Sequence, residues 1–268
     1  NRIDISDNYN FMSNLPKVNS YDKLVKLLNL RKYVIIGGFY DGKILICKTD
    51  TKLGGLEIYP FNDDSPVLSI ESNKNEKFIF VGNSCGNVLV YEISEMGKWI
   101  PIYLKTDQIS SISHINCNDQ LNIWISASID GYICLYTLPL CKLIRCIKVP
   151  TNCCSYVFLS DYPLTWIIVI SDEENNSEIF VYSINGKLIR KKQVNINISS
   201  PVIIKDLNSN DYLAYIGKDN VYIINIPSLT AVVTLDSLID IYSLCVTQDS
   251  KTLYTINKNG TEVTIIKE

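Results

Sequence analysis

His114 is the single histidine among 268 residues. Proton-relay catalysis by a Ser-His-Asp or Cys-His set needs an imidazole, so any such site would have to be built on it. It stands in ISSISH (109–114), a strand-like stretch where a ring packed or hydrogen-bonded beside a core is the expectation. The pairs Gly37-Gly38 and Gly54-Gly55 do not open helices in a phosphate-cradling pattern, and Gly54-Gly55 reads as a turn. The clusters Asp63-Asp64 and Asp172-Glu173-Glu174 lack the spacing of oxygen ligands in a calcium loop; they read as solvated loops. Trp99, Trp124 and Trp166 lie in apolar, strand-like runs, so they are expected to pack rather than to stack on a ligand. Catalytic residues, cofactors and metals are all expected to be absent.

The cysteines fit this picture. There are nine, with no C-x-x-C pair. Cys47, Cys85, Cys134, Cys154 and Cys245 lie in or beside apolar runs, where a free thiol behaves as a small hydrophobe. A reduced chain is the expectation. Net charge is −3 and the isoelectric point about 5.3, which disfavours a nucleic-acid footprint. The densest basic cluster, Lys187, Arg190, Lys191 and Lys192, reads as the solvated face of a strand. The run WIIVI (166–170) is too short to span a bilayer. The chain begins at Asn1 rather than Met, so a piece of a longer protein is expected.

The elements that must position these residues emerge from a repeat. GGFYDGKILIC (37–47), VGNSCGNVLVY (81–91), SASIDGYICLY (126–136), YIGKDNVYIIN (215–225) and TINKNGTEVTI (255–265) fall into register, and ISDEENNSEIFVY (170–182) fits with a longer turn. Their last residues step by 44, 45, 46, 43 and 40. A period of this size with four short strands per unit predicts an all-β, WD40-type β-propeller.

First strands are read at VLSIES (67–72), ISSISH (109–114), CSYVFLS (154–160), PVIIKD (201–206) and IYSLCVT (241–247). Near-continuous apolar second strands suit positions covered on both faces. The tight turns that follow hold Gly, Asp or Asn because two-residue hairpins need positive φ. A more exposed fourth strand is expected at KLIRCIKV (142–149) and KLIRKKQV (187–194). Six repeats occupy 24–268 of one domain spanning 1–268, as six or seven blades. Residues 1–23 form an N-terminal segment with a candidate closing strand, RIDIS (2–6).

SINGKLI (183–189), GGFYDGKILIC (37–47) and ISASIDGYICLYTL (125–138) resemble the C-terminal WD40 region of BEACH-domain proteins, the neurobeachin and beige group. The resemblance runs in order over about residues 30–268. It implies upstream BEACH and PH-like domains in the same chain. It also implies a cytoplasmic protein peripherally associated with membranes, with a scaffold role in vesicle and membrane trafficking. Two departures stand out. No repeat ends in Trp-Asp; Tyr91, Tyr136 and Tyr182 stand where Trp often does. The Gly-His pair is also absent, so Asp41, Asp130 and Asp219 are expected to cap their own turns.

What remains is surface recognition. The turns between second and third strands share one propeller face with the crossings from blade to blade. Phe39, Tyr40, Asp41, Asn83, Asp107, Asp130, Lys218, Asp219 and Lys258 are expected to display themselves there and dock protein partners. No nucleic-acid partner is expected, and membrane contact should be indirect. The alternative is a phosphoinositide- or membrane-binding propeller; the absence of any Arg-Arg pair counts against it.

Overall fold

The computed structural model describes residues 24–30, 34–48, 55–60, 64–95, 97–151, 153–161, 164–173, 176–206, 208–218, 220–235, 241–246 and 252–257. The chain divides into two compact units, 1–67 and 68–268. In the first, β1 (Leu24–Leu30), β2 (Val34–Phe39), β3 (Lys43–Lys48) and β4 (Gly55–Pro60) form one sheet in chain order, each strand antiparallel to the next. Ile36, Ile44 and Ile46 are fully buried in it. Gly55, expected in a turn, starts β4 opposite Lys48.

The same meander recurs along the second unit. One sheet holds β5 (Val67–Ser72), β6 (Phe78–Asn83), β7 (Val88–Ile93) and β8 (Trp99–Lys105). The next holds β9 (Ile112–Asn118), β10 (Ile123–Ser128), β11 (Tyr132–Thr137) and β12 (Leu143–Lys148). Then come β13 (Tyr156–Leu159), β14 (Trp166–Glu173), β15 (Asn176–Ser183) and β16 (Leu188–Val194). A further four are β17 (Ser199–Lys205), β18 (Asp211–Gly217), β19 (Asn220–Asn225) and β20 (Ala231–Leu235). Last, β21 (Ile241–Val246) pairs with β22 (Leu253–Asn257). The third strand expected at the end of TINKNGTEVTI and the candidate closing strand RIDIS lie outside the described residues.

Alternation explains why the second strands are apolar throughout. Successive strand residues point to opposite faces. Along β14, Ile167 and Val169 enter a core shared with Ile125, Ile133 and Val157. Ile168 and Ile170 enter the next one, with Ile179, Leu213 and Tyr215. Likewise Ile123, Ile125 and Ala127 of β10 face one core, while Trp124 faces the other beside Phe80 and Ile112. Each fully buried Ile, Val or Phe contributes roughly 1.5–3 kcal/mol, so both sides of β10, β14 and β18 help to hold neighbouring sheets together. Trp124 stacks on Tyr136 at 4.1 Å between ring centroids and lies 5.0 Å from Phe80. The fourth strands are open by contrast: residues 143–146 and 188–191 are exposed.

Strand β9 starts at Ile112 and runs to Asn118, later than the stretch ISSISH suggests. Residues 108–111 are instead committed to neighbouring turns. Ser111 Oγ donates to the Ser84 carbonyl at 2.8 Å, and the Ser110 carbonyl accepts from Ser128 Oγ at 3.0 Å.

Candidate docking face at the second-to-third-strand turns

The Asp130-Gly131 turn joins β10 to β11. Asp130 Oδ1 accepts the Tyr132 amide at 3.3 Å, the self-capping expected of a turn aspartate. Gly131 has φ of 84°, and a Cβ there would collide with the Thr151 carbonyl. Only glycine fits, because the crossing from β12 to β13 passes directly over it. Asp41 makes the equivalent cap in the first unit, accepting the Lys43 amide at 3.2 Å.

The crossing from β8 to β9 is stitched to this turn. Ile129 N donates to the Ser111 carbonyl at 3.0 Å. Gln108, 5% exposed, donates through Nε2 to the Tyr132 carbonyl at 2.9 Å and accepts from Ser126 Oγ at 2.5 Å. A link of the same kind recurs one sheet on, where the Thr151 and Ser171 hydroxyls lie 2.5 Å apart. These side-chain bonds tie each crossing to the neighbouring second strand without a histidine. No motif announces them; the only trace is a small polar residue inside an apolar strand.

The stitching leaves three apolar side chains of the crossing and the turn facing solvent. Ile109 is 88% exposed, Ile129 42% and Tyr132 41%. Asp130 precedes Tyr132 in the turn, and the Lys148 ammonium sits 4.5 Å from the Tyr132 ring centroid while donating to the Asp130 carbonyl. Sequence reasoning misses all three apolar members. Ile109 falls in a stretch that reads as a strand, and Ile129 continues the alternation of Ile125 and Ala127, which implies burial.

Of the expected face residues, Asp130 lies in this turn and Asp107 is exposed next to Gln108 on the crossing. In the first unit Tyr40 is 61% exposed and Asp41 half-buried. Lys218 is exposed in its own turn with φ of 56°. Phe39 and Asn83 require correction as displayed residues. Phe39 ends β2 at 8% exposure. Asn83 is fully buried because its Oδ1 accepts the Cys85 and Asn87 amides at 3.1 and 2.8 Å; it builds its turn from the inside. Asp219 and Lys258 lie outside the described residues.

The opposite ends of these strands carry a polar centre. Asp161 receives Lys74 Nζ at 2.8 Å and Lys205 Nζ at 2.9 Å, and Lys205 lies 3.5 Å from Asp211 Oδ1. The Asp161 amide also donates to Asp211, which is 2% exposed. Burial pushes the Asp161 carboxyl upward, but hydrogen bonds and charge from Lys74 and Lys205 outweigh it and hold it below its usual value. Burial pushes Lys205 down, and Asp161 with Asp211 more than reverses that. Nearby, Asp119 Oδ2 accepts from Asn73 Nδ2 at 3.2 Å and the Asn75 amide at 3.1 Å.

His114 packs as expected. Its Nδ1 lies 3.0 Å from the Val157 carbonyl, and its ring stands 5.5 Å from Tyr156 and 5.0 Å from Phe158. Among the described residues, no group of three or more His, Cys, Asp or Glu is arranged to hold a metal ion. Among the same residues, no helix is long and apolar enough to cross a membrane.

No family model matches the sequence, and no curated protein sequence matches it. Solved structures do. A chain in the crystal structure of a mitotic checkpoint complex is similar with a TM-score of 0.70 at 13% identity, over 95% of this chain and 83% of that one. A chain of Kuenenia stuttgartiensis hydrazine synthase is similar at 0.68 and 12% identity, over 95% of this chain and 79% of that one. At such identities the likeness speaks to fold alone. With the repeated four-stranded antiparallel sheets it defines an all-β protein of the WD40-type β-propeller class. Because one similar chain belongs to an enzyme, the fold does not by itself decide whether this chain catalyses a reaction.

Proposed function

We propose that this chain is a non-catalytic scaffold that docks partner proteins on Asp107, Ile109, Ile129, Asp130 and Tyr132. The observation that carries the reading is Ile109, a large apolar side chain 88% exposed on a crossing that hydrogen bonds hold against the adjacent turn. Exposed, pre-positioned apolar side chains beside charged ones suit a protein interface. Tyr40, Asp41, Lys218, Asp219 and Lys258 extend the proposed face, and the reading takes residues 1–268 as a single propeller domain. The finer reading rests on the resemblance of SINGKLI and its companion segments. It is the WD40 region of a BEACH-domain protein acting in membrane trafficking, cytoplasmic and peripheral to membranes, with BEACH and PH-like domains upstream in the same protein.

The test is affinity purification with chemical crosslinking, comparing the wild-type chain with a double variant, Ile109→Glu and Ile129→Glu. Proteins captured by wild type should be lost from the variant while the melting temperature stays within about 2 °C. Equal recovery would exclude this face. A full reading frame without a BEACH-like domain would remove the trafficking reading and leave the scaffold reading intact.

The phosphoinositide alternative draws on the basic strand β16. There Lys191 already pairs with Glu178 at 2.7 Å, and Lys192 donates to the Leu229 carbonyl at 2.8 Å. Co-sedimentation with phosphoinositide-containing vesicles at low salt separates the two readings.

A further inference from the structure

We propose that Cys134 and Cys146 form a reversible disulfide under peroxide, making the β11–β12 pair of this chain a redox-modified site. Three observations converge. The two residues are direct cross-strand partners in the β11–β12 ladder. Opposed Cα atoms of antiparallel strands are about 4.5–5.5 Å apart, inside the range that a disulfide spans. Their sulfurs already lie 2.6 Å apart, so no backbone movement is needed to bring them together. Within the described strand ladders, no other cysteine faces a cysteine.

Exposure divides the roles. Cys146 is exposed on the outer strand, whereas Cys134 is 1% exposed. The accessible sulfur meets the oxidant first. The Cys146 thiolate attacks one oxygen of hydrogen peroxide, giving a sulfenic acid and, after proton transfer, one water. The Cys134 sulfur then displaces the sulfenic hydroxyl, which leaves with the thiol proton as a second water. Two thiols have lost two hydrogens, and one peroxide has been reduced to two waters. A dithiol such as dithiothreitol reverses the step by exchange. The buried partner is protected from further oxidation and serves as the resolving thiol.

The neighbouring cysteines are built differently. The Cys141 sulfur is fully buried, 3.6 Å from the Pro139 carbonyl, and Cys117 donates its thiol to the Ser72 carbonyl at 3.2 Å. Neither is paired with Cys146 in a strand ladder, so neither is placed to compete for a sulfenic acid there.

The experiment treats the whole, pre-reduced chain with graded hydrogen peroxide, then blocks free thiols with a maleimide and digests with trypsin. Cleavage after Lys105, Lys142, Arg145 and Lys148 separates Cys146 from the segment holding Cys117, Cys134 and Cys141. The expected result is a linked peptide two hydrogens lighter than its parts, with fragmentation placing the bond on Cys134. It should vanish with dithiothreitol and in Cys146→Ser, and persist in Cys141→Ser. Two results would overturn the proposal: Cys146 recovered only as free or over-oxidised thiol at every dose, or a bond mapped to another cysteine. The wild-type peptide map decides the matter even where a variant folds poorly.

Discussion

The two ends of the strands in the second unit are built on opposite principles. At one end, charge gathers beneath the surface. Asp161, 9% exposed in its side chain, holds Lys205, 14% exposed, and the half-exposed Lys74, with Asp211 Oδ1 3.5 Å from Lys205. At the other end, the polar groups are also satisfied, through Gln108, Ser126 and the turn amides. There the bonding expels apolar side chains to the surface instead of gathering charge beneath it. An inward ionic centre serves stability. Outward apolar side chains on a stiff loop add little to stability and are available for recognition. Polarity alone does not mark a functional surface; where the hydrogen bonds leave the large side chains does.

The largest expected effect breaks the inward end. Asp161→Ala removes the shared acceptor of two ammonium groups and leaves Lys205, 14% exposed, with one carboxylate. Breaking such a buried pair should cost about 3 kcal/mol, read as a fall in the urea midpoint; a loss below about 1 kcal/mol would show the centre to be ornamental. Part of the same energy should appear in acid. The Asp161 carboxyl is depressed in the fold, so its contribution is present above the unfolded carboxylate value near pH 3.9 and is lost as pH falls through the lower folded value. Wild type should therefore lose more stability between pH 6 and pH 3 than Asp161→Asn; parallel curves would refute the coupling. Lys205 is raised, so its contribution is present below its unfolded value and is lost only above about pH 10.4.

Smaller changes belong to the outward end. Ser126→Ala leaves the Gln108 side-chain oxygen buried without its donor and should cost about 1–2 kcal/mol. Its further signature is faster amide exchange in 107–111, since the loop loses an anchor; an unchanged exchange rate would show that backbone bonds alone hold it. Least of all, Ile109→Ser should shift stability by no more than about 0.5 kcal/mol while weakening partner capture. A large destabilisation would mean that Ile109 packs in solution, and the contrast between the two ends would collapse.

Much of the architecture is legible in the residues themselves. The recurring turn residues at steps of 40–46 specify repeated hairpins, because each turn needs residues that tolerate positive φ or cap themselves. Asp41 and Asp130 do cap their own turns. Second strands such as β10, β14 and β18 are readable because both of their faces are covered, and fourth strands because much of their length is exposed. The face is only partly readable. Asn83 looks like a displayed turn residue, yet its short side chain reaches two backbone amides of its own turn and is drawn inside. Ile109 looks like a strand residue, yet Ser110 and Ser111 are held by neighbouring turns before the ladder begins. Asp161 and Lys205 carry no signal, since ion pairs between residues 44 positions apart have no local spacing.

Local chemistry therefore dictates the period, the hairpins and the two-sided apolar strands, since strand alternation and turn φ are properties of neighbouring residues. Which polar groups meet, which isoleucines are left in water and which two cysteines face each other depend on pairings between strands and crossings far apart in the chain. Those pairings are decided by packing and hydrogen-bond satisfaction in the folded molecule, not by residue type at any one position.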